Sequence, residues 1–139
     1  NSMKKNILRI AIVALAGALM ASCVGVEEPM NGNIVGLWLE NGTEHYVRFT
    51  TEQADATYQY GYEWDEADEV TEEDVLNDKY GNGWFKWLLE KPQLTEIHLM
   101  SNGGGDIPKI YTITKLTDTE LQYYEKEQPK NKFSFSRMK

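Results

Sequence analysis

Thr57-Tyr58-Gln59-Tyr60-Gly61-Tyr62-Glu63-Trp64 places a ring at every second position. Successive side chains of a β-strand point to opposite faces, so Tyr58, Tyr60, Tyr62 and Trp64 project to one side while Thr57, Gln59 and Glu63 project to the other. Ile97 with Leu99, Tyr111 with Ile113, and Phe133 with Phe135 form further one-sided sets. Together they predict a sheet with one apolar face.

Working outward, short apolar or alternating runs recur between turn signals. Asn-Gly pairs at 31–32, 41–42, 82–83 and 102–103 favour tight turns, since both residues tolerate positive φ. Strands are predicted near 35–41, 44–51, 55–64, 83–90, 94–101, 108–116, 119–126 and 131–137. The segment 83–90 also fits helical spacing through Trp84, Trp87 and Leu88, but strand is the reading taken. Connections are short except at 65–82, where Thr71-Glu72-Glu73-Asp74 has the form of an N-cap with an acidic first turn, followed by Val75, Leu76 and Lys79 and ended by Gly81. The fold expected is all-β: an eight-stranded up-and-down antiparallel barrel with one short helix in the 65–82 connection. Closure removes the unpaired edges that would invite aggregation.

At the N-terminus, Met3 is read as the initiator, with Asn1 and Ser2 as additions ahead of it. Lys4, Lys5 and Arg9 then form a positive region before the apolar run Ile10 to Ala21, the pattern of a signal peptide over residues 1–22. The run is too short and too rich in Ala and Gly for a spanning helix. It ends in Leu19-Met20-Ala21-Ser22-Cys23, which resembles the lipobox of bacterial lipoproteins, with Met20 where leucine is usual. That resemblance implies cleavage before Cys23 and lipid on its thiol. It also accounts for the single cysteine, a lone thiol being an oddity in an exported protein. Two or more acyl chains anchor stably. Val24 stands where an aspartate would signal inner-membrane retention, so the resemblance implies the outer membrane of the cell envelope. Glu27-Glu28 is similar to an acidic tether that directs some lipoproteins to the cell surface. Residues 23–33 are read as the lipidated cysteine and a flexible tether, and 34–139 as the barrel domain.

Cleavage would remove Lys4, Lys5 and Arg9 and no carboxylate, so the 14 basic residues fall to 11 against an unchanged 22 acidic ones. Such a domain repels phosphate backbones, and nucleic acid is not an expected partner. With no other cysteine, packing has to stabilise the domain. The 4 Trp, 8 Tyr and 4 Phe suit that need, because each buries a large area.

Ile34-Val35-Gly36-Leu37-Trp38 resembles the Gly-x-Trp signature on the first strand of lipocalins, and Phe133-Ser134-Phe135-Ser136-Arg137 resembles their last strand with its basic residue. Residues 110–121 are similar to small lipocalin-like lipoproteins of Gram-negative bacteria. The resemblance implies a calycin-type barrel with Gly36, Trp38 and Arg137 as its structural signature, the guanidinium lying over the indole at the closed end. The chain departs from the pattern in being short and in carrying its helix mid-meander.

No motif predicts catalysis. The run Glu63, Asp65, Glu66, Asp68, Glu69, Glu72, Glu73, Asp74 lacks the spacing of a calcium loop and is read as a solvated face. His45 and His98 lie on different predicted strands without metal-ligand spacing, so they are read as ordinary strand residues. No nucleophile elbow is present, Gly103-Gly104-Gly105 is read as a hairpin loop, and the Asn41-Gly42-Thr43 sequon is explained by a turn. No metal or cofactor is expected.

Two functions remain open. In one, the tethered barrel binds a small hydrophobic or amphipathic ligand at the mouth away from Trp38 and Arg137, lined by Tyr58, Tyr60, Tyr62, Trp64 and Trp84, with the 65–82 connection as a lid. In the other, a filled barrel is a non-enzymatic interaction protein that presents its acidic surface to an envelope component. An eight-stranded barrel has room for either outcome, so side-chain volume decides.

Overall fold

The computed structural model describes residues 30–100 and 107–138. Its strands are β1 (Gly36–Glu40), β2 (His45–Gln53), β3 (Gln59–Asp65), β4 (Trp84–Glu90), β5 (Gln93–His98), β6 (Pro108–Leu116), β7 (Glu120–Glu125) and β8 (Gln128–Arg137). Each pairs antiparallel with the next, and β8 pairs back onto β1, so the sheet closes as an up-and-down barrel. All eight expected strands form. The signal peptide expected over residues 1–22, the lipidation expected at Cys23 and the hairpin loop expected at Gly103–Gly105 lie outside the described residues.

The expected turns were less uniform than the strands. Among the three Asn-Gly pairs within the described residues, only Asn41-Gly42 closes a two-strand hairpin: Gly42 takes φ +79° and Thr43 N donates to Glu40 O across 3.1 Å. Gly32 instead lies against the Thr117 backbone, and Gly83 against Glu63 O and Val75. The strand expected from residue 55 starts only at Gln59, because the Asp55 carboxylate accepts from Thr57 N and Tyr58 N and turns the chain there. Tyr58 therefore sits in a turn, with Lys86 Nζ 5.5 Å from its ring centroid.

The 65–82 connection folds as a 3-10 turn (Glu66–Asp68) and α1 (Glu72–Asn77). A capping box starts the helix, with Thr71 Oγ1 accepting from Asp74 N and the Asp74 carboxylate from Thr71 N. Three of the eight residues of the conspicuous acidic run thus have local work: Asp65 and Asp74 cap turns and Glu72 receives Arg48 Nε at 2.7 Å.

Two cores result. Trp38, Phe49, Phe85, Trp87, Leu94, Ile113, Leu116, Leu121 and Phe135 fill the lumen. Outside, Tyr62, Trp64, Trp84 and Val75 form a second cluster, joined by Leu37, Tyr46, Tyr60, Val70 and Leu99. The lumen is closed at one end by residues 30–35. There Ile34 is buried, Gly32 N donates to Leu116 O at 2.9 Å, and Lys91 Nζ donates to Met30 O at 2.9 Å. Met30 to Asn33, expected as tether, lie against the barrel. Trp38 Nε1 donates to Ile34 O across 2.8 Å, and Arg137 Cζ stands 4.3 Å from the Trp38 ring centroid. Arg137 also donates to the carbonyls of Asn33, Val35 and Asp118. Indole, guanidinium and strap thus seal that end together.

Candidate functional site in the barrel lumen

The residues expected to line a binding mouth do not face the lumen. Val47 and Phe49 are core residues of β2, and they pair with Glu63 and Gly61 of β3. Paired residues share a face, so Gly61 and Glu63 point inward and Tyr60, Tyr62 and Trp64 point outward. Trp84 is the cross-strand partner of Tyr62 and points outward with it. The rings pack on one another, Tyr46 stacked on Trp64 with centroids 5.2 Å apart and Tyr62 tilted against Trp84 at 4.8 Å, and α1 covers them. Tyr62 Oη donates to Glu72 at 2.6 Å and Trp84 Nε1 donates to Val75 O at 3.0 Å, which pins the helix over the stripe. The aromatic stripe is therefore helix-packing surface and does not line the lumen. Ile97 and Leu99 share its outward sense, leaving Leu94, Glu96 and His98 on the inner face of β5.

Within the lumen, a small chamber of about 70 Å³ remains. Its position follows from the strand ends: Glu40 closes β1, His45 opens β2, and His98 closes β5, all at the end opposite Trp38 and Arg137. The chamber thus lies where a mouth was expected but is built from other residues. Glu40, Glu63, Glu96, His45 and His98 supply its polar wall, with Tyr111 and Tyr123 beyond.

Glu63 is held by both imidazoles. His45 Nε2 donates to Glu63 Oε1 across 2.9 Å, and His98 Nε2 stands 3.3 Å from Oε2. The hydrogen bond to Glu63 holds the His45 imidazolium above its ordinary range, against the opposing pull of burial, with the negative charges of Glu63, Glu40 and Asp65 adding to the rise. Glu96 differs. It is only 5% exposed, and its carboxyl makes no hydrogen bond or ion pair with any described residue. Burial first, and the nearby Glu63 charge second, push its carboxyl well above the usual carboxylate range. Burial, helped by Glu96 and Glu63, likewise raises the phenols of Tyr111 and Tyr123, so both keep their O–H.

No family model, curated protein or solved structure matches this chain. The chemistry of the site is accordingly read from its own residues. Among the described residues, no three His, Cys, Asp or Glu side chains converge on a point that could hold a metal ion.

Nothing in the sequence spacing of His45 and His98 joins them. Barrel closure does that, bringing β2, β3 and β5 around one lumen. One signal was available: Leu94-Thr95-Glu96-Ile97-His98 places a carboxylate and an imidazole in the same two-residue register as a core leucine.

Glu96 makes stability depend on pH. Its folded carboxyl binds a proton more tightly than the unfolded one, so the stability it contributes is full below the ordinary value of 4.5 and is lost as pH rises through the raised one. The slope while one proton separates the states is about 1.4 kcal/mol per pH unit. Glu96→Gln, which mimics the neutral acid, should remove that slope and gain on the parent as pH rises. Urea titrations at several pH values check this, and equal pH profiles for both proteins would contradict it.

Proposed function

We propose that the chain is a lipoprotein tethered to the cell envelope through lipid on Cys23, whose barrel is a filled, non-enzymatic scaffold acting through its outer surface. The observation that carries this reading is the packed lumen: Trp38, Phe49, Phe85, Leu94, Ile113, Leu116 and Leu121 are essentially sealed from solvent. The remaining 70 Å³ is too small for a fatty acid, sterol or porphyrin, since drug-sized ligands occupy pockets of about 300–1,000 Å³. The outer surface offers more. Glu66, Asp68, Glu69, Glu73 and Asp74 are exposed around α1, beside Leu76 and Tyr80, which are 46% and 42% exposed. Acid with isolated apolar groups suits a basic protein face, approached by electrostatic steering.

Anchoring is tested by feeding cells a fatty-acid analogue and fractionating them. Label and membrane recovery are expected for the parent and neither for Cys23→Ser; label persisting on the variant would overturn the anchor. For the surface, a photo-crosslinker at Leu76 should capture a defined protein in a salt-sensitive manner. A crosslinker at Thr114, on the far side of the barrel, should not.

A further inference from the structure

An orphaned carboxyl facing a chamber is costly in either protonation state. Ionised, Glu96 is a buried charge without a counter-charge; neutral, it still leaves an O–H donor and an acceptor unmatched where most buried polar groups find partners. A leucine would fill the same space beside Leu94 without that cost. That cost falls if the chamber receives a polar group from outside the polypeptide.

We propose that the chamber is a recognition site for the ammonium group of a small primary amine, held by the carboxylates of Glu96 and Glu63. Size, charge and donor count support the assignment. A cavity of about 70 Å³ holds a few water molecules and so an ammonium with one or two carbons, and is well below the roughly 150 Å³ of a cavity that takes a benzene ring. The wall carries three carboxylates; the imidazoles of His45 and His98 pair with Glu63, and Glu96 forms no ion pair with a described residue. Because no three of the acidic and imidazole groups converge on a point, a bare metal ion would leave ligand positions unmet. An ammonium has three N–H donors directed apart and fits acceptors spread around a chamber. This site goes beyond the surface role proposed above and does not depend on it.

Protonation would be linked to binding. Facing Glu96 across the lumen are Glu40 on β1, His45 on β2, Glu63 on β3, His98 on its own strand, Tyr111 on β6 and Tyr123 on β7. As pH rises, Glu96 loses its proton and His45 its charge, and the chamber becomes more negative while both phenols stay neutral. The cation therefore binds more tightly at higher pH, by up to about tenfold per pH unit for one proton released.

The test follows the thermal unfolding of the intact chain with methylammonium chloride, against sodium, tetramethylammonium and calcium chlorides at equal ionic strength. A saturable rise in midpoint with methylammonium alone, stronger at higher pH, is expected. Glu96→Gln should remain folded and bind at least about tenfold more weakly. Glu63→Gln should also bind less, which guards against a peculiarity of one variant. Equal responses to sodium or tetramethylammonium, an undiminished response in Glu96→Gln, or no saturable response in the parent would overturn the site. A response to calcium in place of methylammonium would overturn it as well.

Discussion

Trp38→Ala is expected to destabilise the domain by about 3–5 kcal/mol, the usual cost of emptying a large buried aromatic site. The indole is wholly buried and does three jobs at the sealed end. It fills the lumen beside Phe49 and Leu116, donates from Nε1 to Ile34 O at 2.8 Å, and lies under the Arg137 guanidinium at 4.3 Å. Its removal would loosen the strap of residues 30–35 together with the β1–β8 seam, where Trp38 and Arg137 are register partners. The cation–π part, about 0.5–2 kcal/mol, is separable as the coupling term of a double-mutant cycle with Arg137→Ala. Urea unfolding reads both quantities. A loss below about 1 kcal/mol for Trp38→Ala would mean that this end is not a packed closure.

The second large effect is expected from the smallest residue of β3. A Cβ on Gly61 would stand 2.5 Å from Phe85 Cζ and 2.9 Å from Arg48 O. The carbonyl belongs to the paired backbone of β2 and cannot turn away, while the Phe85 ring is fully buried and meets Phe49 edge-on at 5.7 Å. Gly61→Ala should therefore cost about 1–3 kcal/mol through overpacking. The opposite facing of β3 predicts the opposite sign: at an open strand position, replacing glycine by alanine stabilises by about 0.4–1 kcal/mol by restricting the unfolded chain. Phe85→Leu should recover part of the loss in the Gly61→Ala background. A neutral or stabilising Gly61→Ala would place the aromatic stripe inside the barrel after all.

That sign marks where sequence reading stopped. The alternation from Tyr58 to Trp64 correctly groups the rings on one face, and closure of eight strands follows from the recurrence of such segments between turns. Which face is inner does not follow, because the usual rule equates the apolar side with the core. Here α1 folds back over β3 and β4 and gives the outer face a core of its own, so both faces of β3 are buried in part. The helix itself was readable from Thr71 and Asp74, but nothing in its sequence says which strands it covers. The Trp38–Arg137 contact was accessible only through the lipocalin resemblance, since the two positions are 99 residues apart in the chain and meet through closure. The chamber was illegible for the same reason. Glu40, His45, Glu63, Glu96 and His98 carry no common spacing, and they share only an inward register and one end of the lumen.

A barrel filled by its own side chains carries no bulky apolar ligand. Native mass spectrometry of the protein purified from the organism that makes it tests this most directly. The expected spectrum shows the mass of the polypeptide from Cys23 onward with its covalent lipid, and no stoichiometric adduct in the mass range of fatty acids, sterols or porphyrins. A reproducible one-to-one adduct of that kind, released on unfolding, would contradict it.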